Sequence, residues 1–258
     1  MKGIIMAGGH GTRLAPMTKV INKHLLPVFD KPMVYYPLTT LLAAGVTEIS
    51  VITNSGDLES FKKLLGDGTD FNCEITYVEQ PIAGGIPQGL QLVSQNCSGS
   101  KVALILGDNL LIGKGLGRDL SEFLDIEGCS IFGAVVGNPG AYGVAEIDSS
   151  GEVIRLTEKP IEFVSNIAIP GLYFFDETCF ERAQSLVPSS RGELEILDLL
   201  QSYLNDKSLS MRMLERGSTW LDCGTPEQLL NASELIRVLQ ERQGMDYGNP
   251  ADITVVNK

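Results

Sequence analysis

The chain has 258 residues, of which 43% are hydrophobic and 20% are charged, enough for a sizeable core. Its formal net charge of −12 supplies no basic surface of the kind that binds nucleic acid, so no nucleic-acid partner is expected. Single cysteines without a C-x-x-C pair disfavour structural zinc and favour reduced thiols in a cytoplasmic protein. The N-terminal apolar run from Ile4 to Ala7 is too short to span a bilayer, and no membrane partner is expected.

Short apolar runs alternate with helical patterns in the first half of the chain. In chain order the pattern predicts strand KGIIMAGG, helix Pro37 to Ala44, strand EISVIT, helix Leu58 to Leu65, strand EITYVEQ, helix Gln88 to Gln95 and strand KVALILGD. This alternation predicts an α/β fold around a mainly parallel sheet. Ligands of such sheets bind at the carboxyl ends of the strands, where the glycine loop after the first strand and Asp108 after the fourth would lie.

The second half of the chain has a more mixed pattern. It predicts strands in CSIFGAVV, GVAEIDSSGEVIRLTE, IAIPGLYFFD and LSMRMLE, and a helix from about Glu193 to Leu204. Thr225 is suited to cap a last helix that begins with Pro226 and ends near Gly244, followed by a short polar tail. Neither a linker nor an internal repeat divides the sequence, which predicts one continuous domain.

The segment AGGHGTRL, from Ala7 to Leu14, carries the strongest local signal. Glycines let the backbone approach a phosphate and turn its N–H groups inward. A dinucleotide-binding fingerprint starting at Gly9 would end at Leu14, and the G-K-[ST] triplet of a P-loop is absent, so neither class is supported. Arg13 and Lys23, both close in sequence, suit a triphosphate ligand. For the glycine cluster alone, a tight turn with solvated charges remains an alternative.

The loop Gly8-Gly9-x-Gly11-Thr12-Arg13-Leu14, with Lys23 and Pro27 after it, resembles the signature of the sugar-nucleotidyltransferase family. Further matching stretches follow in the same order: KPMVYYPL, LLGDG, LILGDN, YGV, EKP, GLYFFD, SRGELEI and WLDCGT. The resemblance implies an α/β, Rossmann-like, mostly parallel central sheet flanked by helices, with sugar-binding insertions. It also implies one domain over 1–258, with a nucleotide-binding part to about residue 110, a sugar-binding part over about 111–225 and a C-terminal helix over about 226–244.

The reaction implied by the resemblance is transfer of a nucleotidyl group to a sugar 1-phosphate, with release of pyrophosphate. The favoured substrates are dTTP and glucose 1-phosphate. Asp108 and Asp222 would hold a Mg²⁺ ion that bridges the nucleotide phosphates, and Arg13 and Lys23 would act as catalytic cations. For either aspartate alone, an ordinary strand end or turn is the alternative. The attacking phosphate oxygen is already anionic, so no general base is required.

The resemblance also assigns binding residues. For the nucleotide they are Gly8, Gly9, Gly11, Thr12, Gln80 and Gly85. For the sugar phosphate they are Asn109, Tyr142, Gly143, Glu158, Lys159, Ile169 and, as a weaker candidate, Arg191. Pro87 and Pro170 depart from the family pattern beside the base and sugar sites respectively. His10, His24 and Trp220 are interpreted as loop or packing residues.

Two alternatives remain open. The first is a UTP- or CTP-dependent nucleotidyltransferase acting on another sugar 1-phosphate, which would use the same loop and aspartates. The second is a non-catalytic regulatory protein that binds nucleotide sugar, although Arg13, Lys23 and both aspartates are all present. A glycosyltransferase is disfavoured because the sequence has Gly107-Asp108-Asn109 where an Asp-x-Asp motif is expected. A homo-oligomer, either a dimer or a tetramer, is expected by resemblance.

Overall fold

A computed structural model describes residues 1–255 of the chain. Its strands are β1 (Lys2–Ala7), β2 (Pro27–Val28), β3 (Lys31–Pro32), β4 (Glu48–Thr53), β5 (Glu74–Glu79), β6 (Val102–Leu106), β7 (Asn109–Ile112), β8 (Cys129–Val135), β9 (Gly143–Ile147), β10 (Val153–Glu158), β11 (Ile167–Ala168), β12 (Leu172–Phe175), β13 (Leu209–Met213) and β14 (Thr219–Asp222). Its helices are α1 (Tyr35–Ala43), α2 (Leu58–Leu65), α3 (Ile86–Val93), α4 (Cys179–Ser185), α5 (Ile196–Asn205), α6 (Pro226–Gln243) and α7 (Pro250–Val255).

The chain divides into two compact units. The first unit comprises Lys2–Ile82, Ile105–Ser121 and the residues from Gly217 onward. The second unit comprises Met1, Ala83–Leu104 and Glu122–Arg216. The prediction of one domain with boundaries near residues 110 and 225 stays a prediction.

The first unit contains a parallel sheet with the strand order β1-β4-β5. Pairing is parallel between β1 and β4 and between β4 and β5. The interior residues of β1 are all buried, as is typical of a parallel strand covered on both faces. Helices α1 and α2 pack against β1 and β5. The α/β fold with a mainly parallel sheet flanked by helices is confirmed, and α2 has the predicted bounds.

A hydrophobic cluster in the first unit connects the segments that carry the predicted site. Its buried members are Leu14, Leu26, Val28, Met33, Tyr36, Leu110, Ile112, Cys223, Leu229, Ala232 and Ile236. Helix α6 supplies three of these residues, and its start is capped as predicted, since the Thr225 side chain accepts a hydrogen bond from the Gln228 backbone N–H at 3.3 Å. It ends at Gly244, which has the left-handed conformation with φ 64°. Leu14, at the end of the glycine loop, and Cys223, directly after Asp222, therefore pack in the same hydrophobic cluster.

The second unit is a mixed sheet with the strand order β10-β9-β11-β8-β12, and β13 lies parallel to β8. Strands β9 and β10, which together span the predicted strand segment GVAEIDSSGEVIRLTE, form an antiparallel hairpin. Helices α3, α4 and α5 pack on one another in this unit. Helix α3 begins at Ile86, before the predicted Gln88, because Gly85 precedes it with φ 94° and Pro87 is suited to the first turn.

None of the helices within residues 1–255 combines the length and the apolar character needed to cross a membrane.

Candidate active site

The glycine loop follows β1 in the first unit, and its backbone has conformations that residues with a side chain rarely adopt. Gly9 and Gly11 have φ angles of 90° and 56°. A Cβ atom on Gly8 would lie 2.8 Å from Oε1 of Gln80, so the loop and the buried Gln80 side chain are in close contact. The structure thus brings together the predicted nucleotide residues Gly8, Gly9, Gly11 and Gln80. Thr12 follows in a short 3₁₀ turn, Thr12–Leu14.

Two side chains that sequence reasoning missed hold this loop. The Gly9 backbone N–H donates to Oδ1 of Asn54 at 3.0 Å, and Nδ2 of Asn54 donates to the Gly9 carbonyl oxygen at 3.1 Å. The Thr18 hydroxyl donates to the Gly11 carbonyl oxygen at 2.8 Å. The amide of Asn54 therefore satisfies both backbone groups of Gly9, and the only sequence signal was its position directly after the second strand.

Asp108 lies just after β6 and forms an ion pair with Lys23. The distance from Nζ of Lys23 to Oδ2 of Asp108 is 2.5 Å, and the two side chains are only 17% and 10% exposed. Burial by itself raises the pKa of Asp108, but the positive charge of Lys23 and hydrogen bonds from Lys23 and Asn109 outweigh it. The pKa of Asp108 therefore lies well below its usual range. The carboxylate is ionised at neutral pH.

Asp222 reaches the same place through the pairing of two short strands. Strands β7 and β14 are antiparallel, with Asp222 opposite Asn109. The Cys223 backbone N–H donates to the Asp108 carbonyl oxygen at 3.0 Å. Burial and the negative charge of Asp108 raise the pKa of Asp222, while Arg13 and Lys23 act in the opposite direction. The structure therefore brings the two predicted metal ligands within electrostatic reach of each other.

Arg13 lies beside Asp222 at the backbone of Gly224. A Cβ atom on Gly224 would be 2.6 Å from Nη2 of Arg13 and 3.1 Å from Oδ1 of Asp222. Only a glycine leaves room for the guanidinium and the carboxylate to approach this backbone together. The two predicted catalytic cations, Arg13 and Lys23, thus each lie next to one of the two predicted metal ligands.

Asn109 and Trp220 form a hydrogen-bonded chain that ends on Asp108. Nε1 of Trp220 donates to Oδ1 of Asn109 at 2.6 Å, and Nδ2 of Asn109 donates to Oδ1 of Asp108 at 2.9 Å. Asn109 is 3% exposed. Its side chain orients the Asp108 carboxylate, while its predicted contact with the sugar phosphate stays a prediction. Sequence reasoning gave Trp220 only a packing role and did not anticipate this donor.

The two histidines occupy different environments. His24 is 1% exposed, and its Nδ1 lies 2.8 Å from Oδ1 of Asn22. Burial and the positive charge of Lys23 lower the pKa of His24 to about 3, so the ring is neutral near pH 7. A Cβ atom on Gly107 would lie 2.6 Å from Cδ2 of His24, so the His24 ring packs closely against the Gly107 backbone. His10 lies exposed in the glycine loop.

Most of the predicted sugar-phosphate residues meet in the second unit. Gly143 is opposite Glu158 in the β9–β10 pair, and a Cβ atom on it would lie 3.2 Å from Oε2 of Glu158. The Ile169 backbone N–H donates to the Gly143 carbonyl oxygen at 2.9 Å, and the Lys159 N–H donates to the Tyr142 carbonyl oxygen at 3.0 Å. Nζ of Lys159 is 3.3 Å from Oε1 of Glu158. These residues form one polar group around the start of β9.

Arg191 and Gly85 have other partners in the second unit. The guanidinium of Arg191 makes a bidentate contact with Glu195, at 3.2 Å from Nε and 2.8 Å from Nη2. Gly85 forms a backbone bridge with Leu194, and a Cβ atom on it would lie 2.0 Å from the Leu194 carbonyl oxygen. Any side chain at position 85 would therefore displace the backbone at Leu194. The roles of both residues toward substrate stay predictions.

The donor set of Asp108 and Asp222 suits a hard divalent cation. Two carboxylates are available, of which Asp108 is firmly ionised. Mg²⁺ is commonly held by one or two carboxylates together with phosphate oxygens and water. Among residues 1–255, no cluster of three or more His, Cys, Asp or Glu side chains is arranged to hold a metal. The pair thus fits an ion whose other ligands come from a phosphate substrate and water.

Together these features define a class of protein: an α/β protein in which a glycine loop without the P-loop motif lies beside two cations and two aspartates. The sequence model of the family described as Nucleotidyl transferase matches residues 2–238. The chain belongs to this nucleotidyl transferase family, and it is therefore an enzyme of the nucleotidyltransferase class.

Named relatives cover nearly the whole chain. Glucose-1-phosphate thymidylyltransferase of Mycolicibacterium smegmatis is 47% identical over 98% of this chain and 88% of its own length. The protein of the same name from Neisseria meningitidis is 44% identical over 95% of this chain and 85% of its own.

Solved structures agree with these relatives. A structure named as a glucose-1-phosphate thymidylyltransferase from Bacillus anthracis in complex with sucrose has a TM-score of 0.86 at 38% identity, over 92% of this chain and 95% of that one. UDP-glucose pyrophosphorylase in complex with UDP-glucose has a TM-score of 0.80 at 24% identity, over 93% and 99% of the chains, and so shares the fold.

Proposed function

We propose that this protein transfers a thymidylyl group from dTTP to glucose 1-phosphate, giving dTDP-glucose and pyrophosphate. The observation that carries the proposal is the arrangement of Arg13, Lys23, Asp108 and Asp222 at the glycine loop, where side chains of both charges lie next to one another. The relatives in Mycolicibacterium smegmatis and Neisseria meningitidis, both named for this reaction, support the choice of substrates.

The chemistry is a single in-line displacement at phosphorus. A phosphate oxygen of the sugar 1-phosphate forms a bond to the α-phosphorus of dTTP, and the bond from that phosphorus to the bridging oxygen of the β-phosphate breaks. Pyrophosphate leaves with the electron pair of that bond. The nucleophile is anionic near neutral pH and no proton has to be removed, so the protein acts by positioning and charge stabilisation. The neutral, buried His24 fits a reaction that needs no base.

Each charged side chain has a place in this scheme. Arg13 and Lys23 stabilise the negative charge on the nucleotide phosphates. Phosphate oxygens are bound by N–H groups of the glycine loop other than that of Gly9, which donates to Asn54. Asp108 and Asp222 would hold Mg²⁺, which when bound offsets phosphate charge and orients the α-phosphate. The hydrogen bond from Asn109 and the ion pair with Lys23 keep the Asp108 carboxylate oriented for this purpose.

The base and the sugar have separate recognition residues in the proposal. Gln80, buried against Gly8, has an amide that is able both to donate to and accept from a thymine edge. Glu158 accepts hydrogen bonds from sugar hydroxyls, Gly143 allows close approach of the backbone, and Lys159 binds the sugar phosphate. Lys159 directly follows β10, and its side chain is about half exposed, so its ammonium group is accessible to a phosphate.

We further propose that the enzyme is cytoplasmic and forms a homo-oligomer, a dimer or a tetramer. Light scattering of the purified protein tests the oligomeric state directly.

The experiment that tests the proposed reaction is pyrophosphate release with Mg²⁺, glucose 1-phosphate and each of dTTP, UTP, CTP, ATP and GTP in turn. We expect rapid release with dTTP, loss of release in Asp108→Asn, and normal release in the matched exposed change Asp148→Asn. Release with only another nucleotide would overturn the base assignment. Release from none, even with other sugar 1-phosphates, would overturn the proposal.

A further inference from the structure

One buried amide links the glycine loop to the segment that carries Lys23. Asn22 is 6% exposed, and its Nδ2 donates to the Ala7 carbonyl oxygen at 3.1 Å and to Oδ2 of Asp57 at 2.8 Å. Its Oδ1 accepts from the His24 backbone N–H at 2.9 Å and lies 2.8 Å from Nδ1 of the same residue. All four hydrogen-bonding positions of the amide are therefore engaged at once.

Asp57 extends this link to the loop itself. Its Oδ2 also accepts from Nδ2 of Asn54, at 2.9 Å. Asn54 in turn holds both the N–H and the carbonyl group of Gly9. Asn22, Asp57 and Asn54, here called the Asn22 network, thus form a continuous chain of side chains from the last residue of β1 to the middle of the glycine loop.

The Asn22 side chain also determines the position of Lys23. Asn22 precedes the 3₁₀ turn Lys23–Leu25, and its side chain caps that turn by accepting from the His24 N–H. Lys23 emerges at the next position and reaches Asp108. A Cβ atom on Gly11 would lie only 3.2 Å from Cβ of Lys23, so the loop and the lysine are neighbours in space as well. A displacement of Asn22 would move loop and lysine relative to each other.

We propose that Asn22 is a positioning residue that, through Asp57 and Asn54, fixes the glycine loop against Lys23 so that both contact the same nucleotide phosphates. The inference rests on the proposed function, because it concerns the same phosphate site. Asn22 touches neither substrate nor metal in this role; it acts through the groups it holds.

The chemistry of the site requires an amide at position 22. A carboxylate there accepts but does not donate, so it would face the Ala7 carbonyl oxygen and the Asp57 carboxylate without a proton between them. A serine has one hydroxyl proton and would lose one of the two donated bonds. An exchange of the two groups, Asn22→Asp with Asp57→Asn, restores a donor between positions 22 and 57. It loses the bond to Ala7 and the bond from Asn54, because the same Asp57 oxygen accepts from both asparagines.

The test compares Asn22→Asp, Asp57→Asn and the exchanged double variant with a matched control, Asn205→Asp. Asn205 is exposed on α5, where its Oδ1 accepts from Gln201, a bond that a carboxylate retains. The readouts are kcat and KM for dTTP, the melting temperature, and amide hydrogen exchange in the peptide covering residues 8–14.

We expect Asn22→Asp to lower kcat by about tenfold to a hundredfold, the range for a small displacement of positioning groups. Exchange at residues 8–14 should become faster, and the double variant should recover part of the loss in kcat, because the bond between positions 22 and 57 returns while the bond from Asn54 does not. Wild-type kcat and exchange in Asn22→Asp, an equal loss in Asn205→Asp, or a double variant as slow as the product of the single effects would each overturn the proposal.

The test also covers a variant that does not fold and a wild type that releases no pyrophosphate. If Asn22→Asp does not fold, Asn54→Asp takes its place, because that position is only partly buried and the change keeps the acceptor for the Gly9 N–H while removing both donated bonds. It should then show the same slower turnover and faster exchange, and wild-type values for both would overturn the proposal. If the wild type releases no pyrophosphate, the proposed function fails, while unchanged loop exchange in the variants would separately overturn the positioning role.

Discussion

Gly224→Ala provides a direct perturbation of the arginine beside Asp222. The backbone at Gly224 does not have a positive φ, so alanine is compatible with it, but the new Cβ would lie 2.6 Å from Nη2 of Arg13. Ordinary contact begins near 3.4 Å, so the guanidinium has to move by about 0.8 Å. The Asp222 oxygen at 3.1 Å would need a smaller adjustment.

The expected cost falls on the reaction rather than on stability. A displacement of roughly 1 Å in a positioned group lowers the rate by about a hundredfold, which corresponds to about 2.7 kcal/mol of transition-state stabilisation. The displaced atom is the end of a flexible side chain, so we expect a loss of less than about 1 kcal/mol in the free energy of unfolding. The assay is steady-state pyrophosphate release with dTTP and glucose 1-phosphate, together with denaturant unfolding.

Two comparisons identify the cause of the effect. Gly137→Ala is the matched control, because a Cβ there meets no atom within 4 Å and the backbone φ is not positive. In an Arg13→Ala background, Gly224→Ala should have little further effect, since its target is gone. Full activity in Gly224→Ala, or a loss of the same size without Arg13, would refute this account of the guanidinium.

Three other substitutions test the surroundings of the site. Trp220→Phe removes the donor to Asn109, and we expect up to about a tenfold lower kcat, the cost of about one buried hydrogen bond. The folded pKa of His24 is about 3 against 6.5 when unfolded, so the unfolded state binds the extra proton and stability falls as pH decreases. Between pH 7 and pH 5, protonation of His24 in the unfolded state should therefore lower the free energy of unfolding by on the order of 2 kcal/mol. In chemical unfolding without substrate, His24→Gln should lack this contribution. Ile236→Ala, in the fully buried part of α6, should cost about 2–5 kcal/mol in denaturant unfolding.

Each of these expectations has a contrary outcome. Unchanged kcat in Trp220→Phe would mean that the indole does not orient Asn109. The same pH dependence in His24→Gln and in the wild type would assign the acid sensitivity to other groups. Leu230, exposed on the same helix, provides the control for Ile236, and an equal loss in Leu230→Ala would contradict the core assignment.

The elements with strong local signals could be predicted from the sequence. The alternating buried strands and helices of the first half, the exact bounds of α2, and the capped start of α6 all follow from short-range patterns. The glycine loop was recognisable because its conformation needs glycine at Gly9 and Gly11. Arg13, Lys23 and Asp108 were found because each lies near such an element in the sequence.

The features that depend on distant pairing were missed. Strands β7 and β14 are only four residues each and lie more than a hundred positions apart, so no local pattern indicates that they pair. Helix α7 lies in what was predicted to be a polar tail, and it is held by packing against α1. Helix α4 is short and lacks a side-chain cap. These elements form because tertiary packing outweighs weak local propensity.

The same limit applies to the site. The meeting of Asp222 with Asp108 was implied only by resemblance, because the β7–β14 register that produces it cannot be derived from spacing. Asn22, Asn54 and Asp57 are ordinary loop residues in the sequence, and their importance appears only when their partners are known. Hydrogen-bond networks of this kind are defined by geometry rather than by residue type.

The proposed attack of the sugar phosphate on the α-phosphorus is tested most directly by following oxygen atoms. The wild-type enzyme is incubated with dTTP and with glucose 1-phosphate that carries ¹⁸O in the non-bridging oxygens of its phosphate, and the products are analysed by mass spectrometry and ³¹P NMR. We predict that all label is found in dTDP-glucose, with one labelled oxygen bridging its two phosphorus atoms, and that pyrophosphate is unlabelled. Label in pyrophosphate, or a product without the labelled bridge, would contradict attack by the sugar phosphate on the α-phosphorus.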